Sequence, residues 1–90
     1  MYSIIYTEEA KSHLELLRRN EPTAFKKAAN LLLELIDHPT TGTGHPEKLK
    51  GDPEGRWSRR ITKKHRLIYE IHDTEVIVLV LAAYGHYDDK

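Results

Sequence analysis

The run Tyr2–Tyr6 is apolar, aromatic and β-branched, which predicts a short strand. After it the period changes. Ala10, Leu14 and Leu17 recur at i, i+4 and i+7 and make one helical stripe. Thr7 offers an oxygen to cap that helix, and Glu8 and Glu9 place negative charge where the helix dipole favours it. Arg18 and Arg19 suit the opposite end. Asn20-Glu21-Pro22 breaks this helix and opens a second, because proline fits a first turn whose N–H groups have no intrahelical partner. Phe25, Ala28, Ala29, Leu32, Leu35 and Ile36 form the second buried face, which ends near Asp37-His38-Pro39.

Between Thr40 and Gly55 the periodicity lapses. The stretch TTGTGHPEKLKGDPEG holds four of the chain's five glycines, and reads as a structured loop with a brief extended piece around Leu49. Three strand-like runs follow, at about 56–61, 66–72 and 75–84. The last is apolar on both parities, as in a central strand covered on both faces. His72-Asp73-Thr74-Glu75 reads as a tight turn joining the final two strands into a hairpin. The expected fold class is α+β, in the order β-α-α-β-β-β. Two N-terminal helices pack on one face of a mainly antiparallel, twisted sheet, and the other face is left partly open.

Ninety residues, 1–90, allow one core and hence a single domain. Fourteen basic and fourteen acidic side chains cancel, so net charge indicates no partner. Their distribution does. Eight of the fourteen Lys/Arg fall between Lys48 and Arg66, which suggests one surface facing a polyanion. Cysteine is absent, excluding disulfide and thiolate chemistry. The start, MYSIIYTEEAK, is not a signal peptide, and no apolar run approaches a membrane span, so a cytoplasmic location is expected. No P-loop, dinucleotide fingerprint, HExxH or nucleophile elbow is present, and no cofactor is expected.

The candidate chemistry lies in RWSRRITKKHR, residues 56–66, with six Lys or Arg and no acid. Trp57, Ile61, Leu67, Tyr69 and Ile71 share one parity. If Thr62-Lys63-Lys64 forms a three-residue turn, Arg60 faces Arg66 across the strands, with Arg56 and Ser58 on the same side. Like charges so placed are destabilising, and a bound anion would relieve the penalty. Arg59 falls on the apolar parity without an evident reason, and Lys63, Lys64 and His65 read as solvated or backbone-contacting turn residues. Cleaving a phosphodiester further requires a base and an acid. RNA carries its own nucleophile, the 2′-hydroxyl. Glu47 in the loop and His86 in YGHY are candidates, with Tyr87 beside the latter. On the residues alone, Glu47 reads first as an exposed loop acid and His86 as a surface histidine.

The block GTGHPEKLKGDPEGRWSRRITKKHRLIYEI, with HY following near the C-terminus, resembles the Txe/YoeB family of toxins within the RelE-type superfamily. The resemblance covers nearly the whole chain. It implies a ribosome-dependent endoribonuclease that cuts mRNA in the ribosomal A site, and a Phd/YefM-type antitoxin that wraps and inhibits it. It also implies a homodimer, for which the sequence marks no surface. By resemblance, Glu47 becomes the general base and His86 the general acid. Lys50, Arg60 and Arg66 contact the scissile phosphate, and Tyr87 orients substrate. Two departures bear on activity or partner contacts: Tyr84 stands where some relatives carry Arg, and the chain continues as Asp88-Asp89-Lys90. The alternatives are a ParE-like toxin of the same fold that inhibits a protein such as gyrase, and a noncatalytic RNA-binding module.

Overall fold

The computed structural model describes residues 1–53 and 55–81, so Tyr84, His86, Tyr87 and Asp88-Asp89-Lys90 lie outside the described residues. Within them the elements are β1 (Ser3–Tyr6), α1 (Glu8–Asn20), α2 (Pro22–Leu35), β2 (Glu47–Lys48), β3 (Trp57–Arg60), β4 (Arg66–His72) and β5 (Glu75–Leu81). The strands form one sheet in the order β1-β5-β4-β3-β2. All neighbours are antiparallel except β1 and β5, which run parallel. A parallel pair cannot be joined by a tight turn, and here the chain between β1 and β5 runs through both helices and the other three strands.

The local signals act as their chemistry dictates. Thr7 caps α1 by accepting a hydrogen bond from the Ala10 N–H at 3.0 Å. Pro22 occupies the first turn of α2, where its missing N–H costs nothing. Asp73 adopts φ 51° in the β4–β5 turn, a left-handed conformation that Asp tolerates well. The structure adds one strand to the expected order: the two-residue β2, just ahead of the extended piece expected at Leu49.

The helices cover the face carrying Trp57, Ile61, Leu67, Tyr69, Ile71 and Val76. Ala10 and Leu17 from α1 and Ala24, Ala28, Leu31 and Leu35 from α2 are buried against it. The buried face of α2 is thus rotated from the expected one. Ala24 and Leu31 reach the core centre, while Phe25 and Leu32 sit half-buried at its flank. Three consecutive leucines, 31–33, made the rotation ambiguous from periodicity; Leu31 is 1% exposed and Leu33 65%. Leu31→Ala is therefore expected to cost about 2–5 kcal/mol, and Leu33→Ala to change stability by no more than about 0.5 kcal/mol. Urea unfolding of the two variants checks this.

No helix among the described residues is long and apolar enough to cross a membrane.

Candidate functional site

The β3–β4 register decides what the basic hairpin can do. Trp57 pairs with Tyr69, Ser58 with Ile68, Arg59 with Leu67 and Arg60 with Arg66. Cross-strand partners share a face, so Arg60 and Arg66 stand side by side on the face that the helices leave open. Both are exposed. Three groups hold this register. Ile61 N–H bonds to the His65 carbonyl at 2.8 Å, closing the hairpin. Thr62 Oγ1 accepts from the N–H groups of Lys64 and His65 at 3.3 and 3.2 Å, shaping the turn. His65 is only 1% exposed and its Nε2 lies 3.0 Å from Glu21 Oε2, tying the turn to the junction between the helices. The expectation that His65 is a solvated or backbone-contacting turn residue is thus corrected for its side chain, which is buried against Glu21 and anchors the chain immediately before Arg66.

The hairpin cations fall into two classes. Arg56 is engaged by acids, with its Nε 3.2 Å from Glu70 and its Nη1 3.8 Å from Asp52. Arg59 turns to the helix face, where it is fully buried and donates to Glu34 Oε1 at 2.8 Å. Arg60 and Arg66 have no carboxylate partner among the described residues; Arg66 reaches Ser58 Oγ at 3.5 Å. Two arginines at paired strand positions, with no carboxylate partner among the described residues, have the donor chemistry that suits a phosphate's oxygens.

Glu47 joins this face through β2. It pairs with Ser58, which places its exposed side chain on the open face, one cross-strand row from Arg60 and Arg66. Gly44 helps to bring the loop in. Its carbonyl accepts from Arg60 N–H at 2.7 Å, at φ +85°, and a Cβ there would lie 2.9 Å from the Arg60 carbonyl. Only glycine allows that approach. Lys50 is exposed in the turn that follows β2, where Asp52 N–H bonds to the Leu49 carbonyl at 3.4 Å. The structure therefore brings Glu47, Arg60 and Arg66 to one face, with Lys50 exposed in the turn beyond β2.

Arg59 is the residue whose placement the sequence left unexplained. All five of its N–H groups find acceptors: Tyr69 Oη at 3.2 Å, Glu34, and the carbonyls of Thr43 at 3.3 Å, Thr41 at 2.6 Å and His38. Tyr69 Oη in turn donates to the Pro39 carbonyl at 2.7 Å. Its apolar parity signalled only that buried acceptors would be needed, and Glu34 on α2 is one of those that the fold supplies.

Two carboxylates of this framework are held below the usual range. For Glu34 the main cause is the Thr43 side-chain hydrogen bond, then the Thr43 N–H and Arg59. For Glu70 it is the His72 hydrogen bond, then Arg56. A depressed folded-state pKa gives stability that is complete above the unfolded value, about 4.3 for Glu, and is lost as pH falls through the folded one. Denaturant midpoints are therefore expected to fall as pH drops below about 4.3, less steeply in Glu34→Gln.

Comparison with known proteins gives the chain's family. Residues 6–87 match the family described as YoeB-like toxin of bacterial type II toxin–antitoxin system. The chain is 34% identical over 84 residues to the Toxin YoeB of Escherichia coli strain K12, covering 93% of this chain and 98% of that one. Among solved structures, the YoeB dimer of Staphylococcus aureus aligns with a TM-score of 0.79 at 30% identity, covering 88% of this chain and 92% of that chain. The toxin in the heterotetrameric YoeB–YefM toxin–antitoxin complex of the same organism aligns with a TM-score of 0.76 at 30% identity, covering 89% and 93%. With 82 consecutive residues spanned by the match, both helices and β2 to β5 included, this chain belongs to the YoeB-like toxins of bacterial type II toxin–antitoxin systems.

Proposed function

We propose that this toxin is a ribosome-dependent mRNA endoribonuclease that works by acid–base cleavage through the RNA 2′-hydroxyl and so halts translation. The observation that carries the reading is the Arg60–Arg66 pair, side by side on the open face without a carboxylate partner among the described residues, with Glu47 one row away. Glu47 takes the proton from the 2′-hydroxyl, whose oxygen attacks the adjacent phosphorus. Arg60 and Arg66 stabilise the charge that builds on the phosphoryl oxygens, with Lys50 contributing from the turn beyond β2. The bond from phosphorus to the 5′ oxygen breaks, leaving a 2′,3′-cyclic phosphate. His86, outside the described residues, protonates the departing oxygen, and Tyr87 orients the substrate.

The partners follow from the same reading: mRNA in the A site, the ribosome, and, as in the Staphylococcus aureus complex, a YefM-type antitoxin. A homodimer is the corresponding proposal from the dimeric relative. Incubating the purified toxin with programmed ribosomes, then mapping the 3′ ends of the message, tests the function. Cuts in the A-site codon bearing cyclic or 3′-phosphate ends are expected. An intact message alongside inhibited DNA supercoiling would instead favour a gyrase-directed toxin.

A further inference from the structure

Glu47 has little to hold it. The β2–β3 ladder comprises two residue pairs, Glu47↔Ser58 and Lys48↔Trp57, too few to fix a strand by themselves. The segment before it, between the end of α2 and β2, contains neither helix nor strand. Such a segment normally turns its carbonyls to water. Here the carbonyls of His38, Thr41 and Thr43 converge on one buried guanidinium, and that of Pro39 on the Tyr69 hydroxyl bonded to it.

Glu34 completes the knot. Its Oε1 accepts both from Arg59 and from the Thr43 N–H at 2.9 Å. Arg59 is also the immediate neighbour of Ser58 and Arg60. It therefore links the loop to the same two strand positions that present Glu47's cross-strand partner and one half of the arginine pair.

We propose that Arg59, with Tyr69 and Glu34, is a positioning residue of the active site: it fixes where the loop enters β2, and so fixes the Glu47 carboxylate relative to the phosphate held by Arg60 and Arg66. This rests on the assignment of Glu47 as the general base. Arg59 touches no reacting atom, because its side chain lies on the helix face of the sheet, opposite the arginine pair. Its effect passes through the loop. A general base displaced by about an ångström loses much of its effect, on the order of 100-fold in rate.

The test uses Tyr69→Phe, which removes one hydroxyl from the knot and keeps the ring in the core, together with Arg59→Lys, which keeps the charge but not the five-donor fork. Each is combined with Glu47→Ala. Single-turnover cleavage on programmed ribosomes is measured at a temperature where circular dichroism shows the variant folded, and ribosome affinity is measured in parallel.

The proposal expects both variants to cleave about 10–100-fold more slowly than wild type at unchanged ribosome affinity. In the Glu47→Ala background it expects neither change to slow the residual rate further, because the group being positioned is already gone. A merely structural role would lower both backgrounds alike, and that result overturns the proposal. So do rates per folded molecule within about twofold of wild type. If Arg59→Lys does not fold, Tyr69→Phe decides. Glu47→Ala cleaving at the wild-type rate overturns the general-base assignment and the positioning role with it. An inactive Glu47→Ala protein beside fully active Tyr69→Phe overturns the positioning role alone.

Discussion

Arg66→Ala is expected to slow single-turnover cleavage of message on programmed ribosomes by about 10²–10³-fold, equivalent to about 2.7–4 kcal/mol of lost transition-state stabilisation. Strand pairing sets the Arg66 backbone opposite Arg60 on one face, and the Arg66 Nη1 lies 3.5 Å from Ser58 Oγ. The guanidinium therefore needs little reorganisation when charge develops on the phosphate. Lysine at this position should recover only part of the rate, since an ammonium cannot make the two-pronged contact. Stability should respond in the opposite sense. The pair consists of like charges directly opposite one another, so Arg60→Gln should leave the free protein as stable as wild type, or more stable by about 0.2–1 kcal/mol at low salt. Thermal unfolding separates this from a structural cation, whose loss would lower the melting temperature.

Arg59→Ala should have the largest effect on folding. Arg59 is fully buried and all five of its donors are used, so truncation leaves a buried cluster of acceptors without a cation. Breaking a buried ion pair by removing one partner costs about 3–5 kcal/mol. That is a large part of the 5–15 kcal/mol that stabilises a typical domain. In a chain of this size it lowers the melting temperature by at least about 12 °C. Arg59→Met, which fills the same volume, should lose nearly as much, because the loop carbonyls still lack donors. Scanning calorimetry of the three proteins measures this directly.

These two neighbouring arginines show what could be read in the sequence. The Arg60–Arg66 pairing followed from period-two alternation and a three-residue turn, both local features, and the structure has that register. The capping by Thr7, the break at Pro22 and the β4–β5 hairpin were legible for the same reason. Arg59 was not. Its partners are 10 to 25 residues away in sequence, on a strand, on a helix and in a loop, and no periodicity points to them. His65 is similar, since the acid that receives it is 44 positions away. The rotation of α2 was lost in the run Leu31-Leu32-Leu33, where only packing against the sheet selects the inward side. For the site, parity gave the faces of Arg60 and Arg66. The face of Glu47 needed β2, too short a strand to announce itself.

The most direct measurement is the structure of the toxin on a ribosome whose A-site message carries a 2′-O-methyl group at the nucleotide to be cut. The expected result is the scissile phosphate between the guanidinium groups of Arg60 and Arg66, with the Glu47 carboxylate beside the methylated oxygen. A message lying against Lys63 and Lys64 or against α2, with both guanidinium groups touching no phosphate, would contradict the account.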